Sequence, residues 1–585
     1  MKQLRPEERL VIYQILVRQF ANAASPCIPG ANWSVNGSGT FDGITDEIIH
    51  SIRELGCNAL WLTGILRHAS RSDKPGTVQL SHPSLVKGLA GSPYAVEDFF
   101  STDPDLHARP ENPEQELKEC LQRIHAAGMK AIMDFIPNHC ARQYRSSGAN
   151  IPALRNPGAE DDRSLEFHPQ NYFYYLPGQA LQLPDALKLP DCEPYEEFPA
   201  RATGNDCFYA QPGPGDWYET VKLNYGWDYR NGEKHFLPEP PVWEYMRQVL
   251  LFWAEAGFDG FRCDMAAMVP VEFWRRVIPE IKRAFPGIFF IAEIYEPERY
   301  REFLDAGFDY LYDKEGMYNC LRELLEGRGD CRNLSGIWQQ QEGIQQRMLR
   351  FLENHDEQRI PSRHFAGNPF HALPGFVAAA FSGKAALLLY AGQELGEKAE
   401  IAEGFSGNDG RSSIFDYGCV PAIRQWLSGN ISEYQNLPKD SIRLRKSYSE
   451  ILGLCQNNPA ILHGDFYDLQ YANPDSASYK ASKIWSFLRS SEQDKLLIIC
   501  SFSGISERIT LQIPTHALEF SKISEYQNIK LLSYFSEIWS PEIFESAALQ
   551  ILPSVGLKID LILPPWSSLI YQFTKESTRL HAGNS

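Results

Sequence analysis

Eight short apolar runs punctuate residues 11 to 391 of this chain: VIYQILVRQF (11–20), NALWLTG (58–64), KAIMDFI (130–136), FDGFRC (258–263), IFFIAEI (288–294), FDYLYD (308–313), RMLRFLE (347–353) and ALLLYA (386–391). Most are continuous rather than alternating, the pattern of strands buried on both faces, and such strands belong to parallel sheets covered by helices. Helical periodicity fills several of the gaps, at 113–128, 242–257 and 271–285. Two of these stretches end in Gly and the third runs into Pro-Gly, which are stop signals. Eight successive βα units predict a (β/α)8 TIM barrel, in which chemistry sits on the loops at the C-terminal ends of the strands.

One gap is too long for a βα loop. About a hundred residues rich in Pro, Gly, Asn, Asp and Tyr separate the third run from the helix near Val242, and segments such as NYFYYLPG carry too many aromatics for a solvated linker. The expected organisation is a first barrel part over 1–139, a small inserted domain over the barrel mouth at 140–240 and the rest of the barrel over 241–454. Beyond 455 the texture changes to short β-rich runs (DFYDLQYA, KIWSFLRS, KLLIICSF, RITLQI, IKLLSYF, KIDLIL, SSLIYQF), which predict a C-terminal antiparallel β-sandwich over 455–585.

A net charge of −18 argues against an overall field that attracts nucleic acid or anionic membrane. Twelve cysteines are scattered without a CxxC pair, so neither a zinc site nor a disulfide framework is readable. In the amino-terminal stretch Gln14 and Arg18 interrupt the apolar run, and no stretch approaches the ~18 apolar residues of a membrane span. A cytoplasmic protein is expected. The oligomeric state is not legible.

Four acids stand at the ends of apolar runs: Asp134 in AIMDFIPNH, Asp264 in FDGFRCD, Glu293 in IFFIAEIY and Asp356 in FLENHDE. Asp264 and Glu293 are separated by roughly the 30 residues of one βα unit, which puts them on adjacent strand ends. Two carboxyl groups facing each other across a sugar are the minimum equipment for glycosidic cleavage. An isolated acid at such a place is more often a cap or a surface charge; four in order are not isolated. Arg262, two residues before Asp264 and on the same side of the strand, would favour its ionised form. The apolar run before Glu293 is compatible with a desolvated, protonated acid.

The segments DFIPNH (134–139), GFRCD (260–264), AEIY (292–295) and ENHDEQR (353–359) resemble the ordered strand-end motifs of the α-amylase family, glycoside hydrolase family 13, which comprises retaining hydrolases and transglycosylases. The resemblance implies that Asp264 is the nucleophile, Glu293 the general acid and then base, and Asp356 the group that holds the sugar's hydroxyls and supports the transition state. It implies substrate-binding roles for His139, His355 and Arg262, a stacking role for Tyr94 in GSPYAVEDF, and an orienting role for Asp134. VKLN, with Leu223 and Asn224, resembles a short extra motif near the end of the family's insert. Arg359 and Glu394 read as structural.

The implied substrate is an oligosaccharide or α-glucan with α-1,4 bonds, the implied reaction retaining hydrolysis, with 4-α-glucanotransfer as the alternative and a catalytically silent carbohydrate-binding protein as a third. Neither GxGxxG after the first strand nor a P-loop is present to support a nucleotide enzyme. Where many calcium-dependent members continue the nucleophile segment with Lys-His, this chain has Met265, Ala266 and Ala267. No metal is therefore expected to be required. Asn138, which matches a family calcium ligand, and Asp161 and Asp162 in the insert keep a structural calcium open.

Overall fold

The computed structural model describes residues 8–575 apart from 23–26, 147–155, 191, 401–407, 538–542, 544–545 and 550–555. Eight parallel strands close into a barrel: β1 Val11–Leu16, β2 Ala59–Thr63, β3 Lys130–Phe135, β4 Gly260–Cys263, β5 Phe289–Ala292, β6 Tyr310–Tyr312, β7 Met348–Arg350 and β8 Ala386–Tyr390, each paired with its neighbour in sequence and β8 with β1. All eight fall inside the expected runs. The first run is strand only as far as Leu16, the last residue that pairs with β2, and Val17–Phe20 turns as a helix out of the barrel mouth.

Alternate side chains split the strands between two cores. Ile12, Ala59, Trp61, Ile132, Phe289, Ile291, Leu349 and Leu388 fill the barrel interior. Their neighbours Val11, Tyr13, Leu60, Leu62, Met133, Phe290 and Leu387 join the core beneath the surrounding helices. The interior is thus packed solid. Only the mouth is left for chemistry.

The helices include α1 Asp46–Leu55, α2 Pro113–Ala126, α3 Pro241–Ala256, α4 Val271–Ala284, α5 Tyr300–Asp305, α6 Asn319–Leu325, α7 Ala372–Phe381 and α8 Lys439–Asn457. Between β3 and α3 the chain makes short ribbons instead: His139–Ala141 pairs antiparallel with Thr220–Lys222, and Tyr175–Leu176 with Ala200–Arg201. Its interior is aromatic and ionic. Tyr172, Phe173, Tyr174 and Tyr218 are buried, and buried Glu197 takes Arg142 at 2.8 Å and Arg201 at 2.6 Å.

After α8 two antiparallel sheets stack. Strands Asp465–Asp468 (β9), Ile484–Ser490 (β10), Lys495–Ser501 (β11), Asn528–Phe535, Ser546–Ala548 and Ser567–Thr574 form one, and Glu507–Ile513 with Leu557–Leu563 the other. Ile484, Leu488, Leu497 and Ile499 face the second sheet, whereas Trp485, Phe487, Leu496 and Ile498 join the core around the barrel.

Candidate active site

The register of the barrel assembles the site. Arg262 on β4 lies directly across from Asp134 on β3, and the next main-chain bonds run from the Asp264 N–H to the Phe135 carbonyl and from the Glu293 N–H to the Cys263 carbonyl. One residue past the strand ends, both acids emerge at the same height. Gly260 permits the close pairing beneath them, because a Cβ there would stand 2.5 Å from the Phe289 ring.

A single guanidinium ties the acids together. Arg262 reaches Asp264 Oδ1 at 2.8 Å and Asp134 Oδ1 at 3.2 Å with one terminal nitrogen, and Glu293 Oε1 at 2.6 Å with the other. Its flat faces lie 5.4–5.7 Å from the ring centres of Trp61, Tyr94 and Tyr312. Glu293 also accepts from the Tyr295 hydroxyl at 2.5 Å and from the Met265 N–H at 2.7 Å. That N–H is aimed by a left-handed backbone at Met265 (φ 44°), an uncommon conformation for a residue with a side chain.

The charge balance differs from the sequence-based expectation. Arg262 does not serve Asp264 alone but is shared among three buried acids. Burial pushes the Asp264 carboxyl well above the ordinary carboxylate range; Arg262 pulls it back, while Glu293 and Asp134 push it further. Asp134 is pushed up to about 6, chiefly by burial. With one fixed cation set among these acids, the Asp264 and Asp134 carboxyls are both pushed toward their protonated forms, each by burial first and by its acidic neighbours as well.

His355 and His139 add no charge, since burial takes both down to about 3. His355 is held by Gln14 at Nδ1 (2.7 Å), touches the Tyr94 hydroxyl with Nε2 and stands 3.2 Å from Asp356. Tyr94 stacks on His355 with ring centres 5.5 Å apart. Asp356 is the most open of the acids, its side chain 43% exposed. Asp264, Glu293, Asp356, Tyr94, His139 and His355 all line one cavity of about 230 Å³, with Arg262 and Asp134 buried directly behind.

Several participants escaped the sequence reading. Trp61 donates to Asp134 at 3.0 Å, Gln14 fixes the His355 ring, and Tyr295, Trp217, Glu219 and Lys87 line the cavity. Gln14 carried a signal, being the one polar side chain among VIYQIL on an inward-facing position of β1. Arg359 and Glu394 are structural: Arg359 pairs with buried Glu353 at 2.9 Å, and Glu394 with Arg445 at 2.8 Å. Leu223 and Asn224 support the insert, Leu223 donating its N–H to the Asn138 carbonyl and Asn224 its side-chain amide to the His168 carbonyl.

The residues considered for calcium do not fit one. The Lys222 ammonium donates to Asn138 Oδ1 at 2.7 Å and pairs with Asp206 at 2.5 Å, so a fixed cation already occupies those oxygens. Asp161 accepts from the Tyr172 and Phe173 N–H groups and the Tyr175 hydroxyl, and Asp162 from Ser164, both within loops. Among the described residues no three acidic, His or Cys side chains converge on a point that could hold a metal.

Residues 14–286 match the family model for the α-amylase catalytic domain. That match, over just under half of the chain, indicates the α-amylase family. The chain is 25% identical to the α-amylase MalA of Haloarcula japonica over 67% of its own length and 45% of that protein's. It is 21% identical to a cyclomaltodextrinase from a Bacillus species, over 84% of its length and 72% of the relative's. The chain thus spans less than half of the first of these relatives and nearly three quarters of the second. Among solved structures, the α-amylase of Geobacillus thermoleovorans in complex with acarbose superposes over 98% of this chain and all of that one, with a TM-score of 0.62 and 18% identity. The last likeness is one of fold.

Proposed function

We propose that this protein is a retaining glycosidase of the α-amylase type that cleaves α-1,4-glucosidic bonds of maltooligosaccharides or α-glucans through a covalent glycosyl-enzyme. The observation that carries the reading is Arg262 bridging Asp264 and Glu293. One guanidinium touching both carboxyls holds Asp264 and Glu293 side by side at the barrel mouth, as a nucleophile and an acid–base working on one glycosidic bond must be.

Asp264 attacks the anomeric carbon while the glycosidic oxygen takes a proton from Glu293 and leaves. Water then gives a proton to Glu293 as its oxygen bonds to the anomeric carbon, and Asp264 is released. Asp356 accepts hydrogen bonds from the sugar's hydroxyls, and its charge favours the oxocarbenium-like transition state. His139 and His355, neutral as buried, hydrogen-bond the sugar without adding charge. The developing positive charge also draws Asp264 toward its ionised form.

A second sugar's hydroxyl can replace the water without changing any of these residues. The apolar stretch Ala266–Ala267 beside the nucleophile favours that transfer reading as the alternative, since it offers no charged side chain to a leaving group. No calcium enters the scheme; the support is Lys222 on Asn138. A reducing, cytoplasmic setting is supported by the absence of disulfides among the described residues, and no described helix is long and apolar enough to cross a membrane.

The test is a time course with pure maltotriose, resolving product length and anomeric form by NMR. Shorter α-anomeric products with new reducing ends are expected. Longer products at constant reducing ends would replace hydrolysis by transfer, and β-anomeric first products would overturn the retaining assignment.

A further inference from the structure

The cavity has one wall that the scheme above does not use. The loops after β2, β3 and β8 meet there: Lys87 stands 3.1 Å from Glu219, both side chains are more than nine-tenths buried, and both line the cavity together with Trp217 and Phe415. The wall is fixed in place. The Ala90 N–H bonds the Phe415 carbonyl at 3.0 Å, and a Cβ at Gly88 would stand 2.2 Å from that same carbonyl oxygen. Trp217 packs on His139 with ring centres 5.1 Å apart, and Glu219 immediately precedes the strand paired with His139–Ala141.

Glu219 uses only one of its oxygens. Oε1 meets Lys87, while Oε2 is buried without a hydrogen-bond partner. A carboxylate oxygen left unpaired on a residue that lines a cavity can be satisfied by a donor from whatever fills it. The leaving group departs on the side of Glu293, beside Met265 and Tyr295 on the loops after β4 and β5. Lys87 on the loop after β2 and Phe415 on the loop after β8 are two or more strands removed from β4 along the barrel, with Glu219 reaching Lys87 from the loop after β3, and the far end of the reacting sugar is directed to that side. A cavity of about 230 Å³ is below the ~300–1,000 Å³ of pockets that take drug-sized ligands, and leaves room for a single sugar ring.

We infer that Lys87 and Glu219 close the donor end of the site and read the free 4-hydroxyl of a chain's non-reducing end, so that the enzyme removes or transfers one terminal sugar residue at a time. The inference rests on the proposed glycosidase reading. The terminal 4-hydroxyl gives its proton to Glu219 Oε2 and accepts from the Lys87 ammonium. A sugar substituted at that oxygen offers no proton, leaves Oε2 unpaired and collides with the wall. Sites built to bond a hydroxyl discriminate strongly against its loss.

The experiment compares 4-nitrophenyl maltoheptaoside with the same compound carrying a 4,6-ethylidene cap on its non-reducing end, following first products by chromatography. The native protein should release glucose first from the open substrate and act on the capped one at least 100-fold more slowly. In Lys87→Met/Glu219→Gln, which removes both charges together, the capped-to-open rate ratio should rise at least 10-fold. Equal rates on both substrates with native protein, or maltose and longer first products, would overturn the inference and leave the glycosidase reading standing. Absence of cleavage of either substrate would overturn both.

Discussion

Two arginines, Arg262 and Arg350, are equally inaccessible to solvent and differ in the company they keep. Arg350, at the end of β7, faces one acid, Asp313 at 3.1 Å, and spends other N–H groups on neutral acceptors, the Ala379 carbonyl, the Ser382 hydroxyl and the Gln341 amide oxygen. Arg262 faces three acids with no neutral acceptor among them except the Tyr312 hydroxyl. Positive and negative charge are matched in the first case and mismatched in the second. A matched buried pair is inert scaffolding; a mismatched cluster must carry mobile protons, and proton exchange is what glycosidic cleavage requires.

Asp264→Asn tests that contrast most severely. Turnover should fall by about 10⁴-fold or more, as for loss of other nucleophiles, while the melting temperature stays the same or rises because a carboxyl whose ionisation burial penalises is replaced by a neutral amide. Retained activity would remove the nucleophile assignment. The complementary change is Arg350→Met, which strands Asp313: a loss of about 3–5 kcal/mol in denaturant unfolding is expected, with kcat of the folded protein near that of the native enzyme. Were Arg350→Met to abolish kcat at unchanged stability, the division between scaffold and reactive arginine would be wrong.

Asp134→Asn sharpens the same comparison through pH. Asp264 must be ionised to attack, so activity is lost as pH falls through the raised range of the cluster. The negative charge of Asp134 is one cause of that elevation; its removal should move the acidic limb of kcat/KM to lower pH. The two histidines, near 3, contribute no limb around neutrality. A limb that stays in place would mean Asp134 does not share protons with Asp264. The smallest expected effect is that of a calcium chelator, which should change neither activity nor melting temperature, whereas Lys222→Met should cost about 1–3 kcal/mol by leaving Asn138 Oδ1 and Asp206 without their cation.

The barrel was legible because its strands are apolar on both faces and its reactive acids follow them directly. Helix α7 was not, since ALPGFVAAAF is buried all round and shows no amphipathic period. The four acids could be found from position alone. Their proton balance could not, because sequence places Arg262 beside Asp264 but says nothing of a register that also delivers Asp134 and Glu293 to the same guanidinium. Lys87, Glu219 and Trp217 lie on loops whose meeting is a product of the closed barrel; no local pattern marks them. Lys222 sat within a motif-like stretch, yet its ammonium standing on Asn138 is visible only in three dimensions.

The larger C-terminal sheet presents two apolar faces, and only one belongs to its own sandwich. Trp485, Phe487, Leu496 and Ile498 on β10 and β11 complete the core outside the barrel, next to α7. Severing the chain after α8 would therefore not yield a shorter working enzyme. It would bare an oily surface on both fragments.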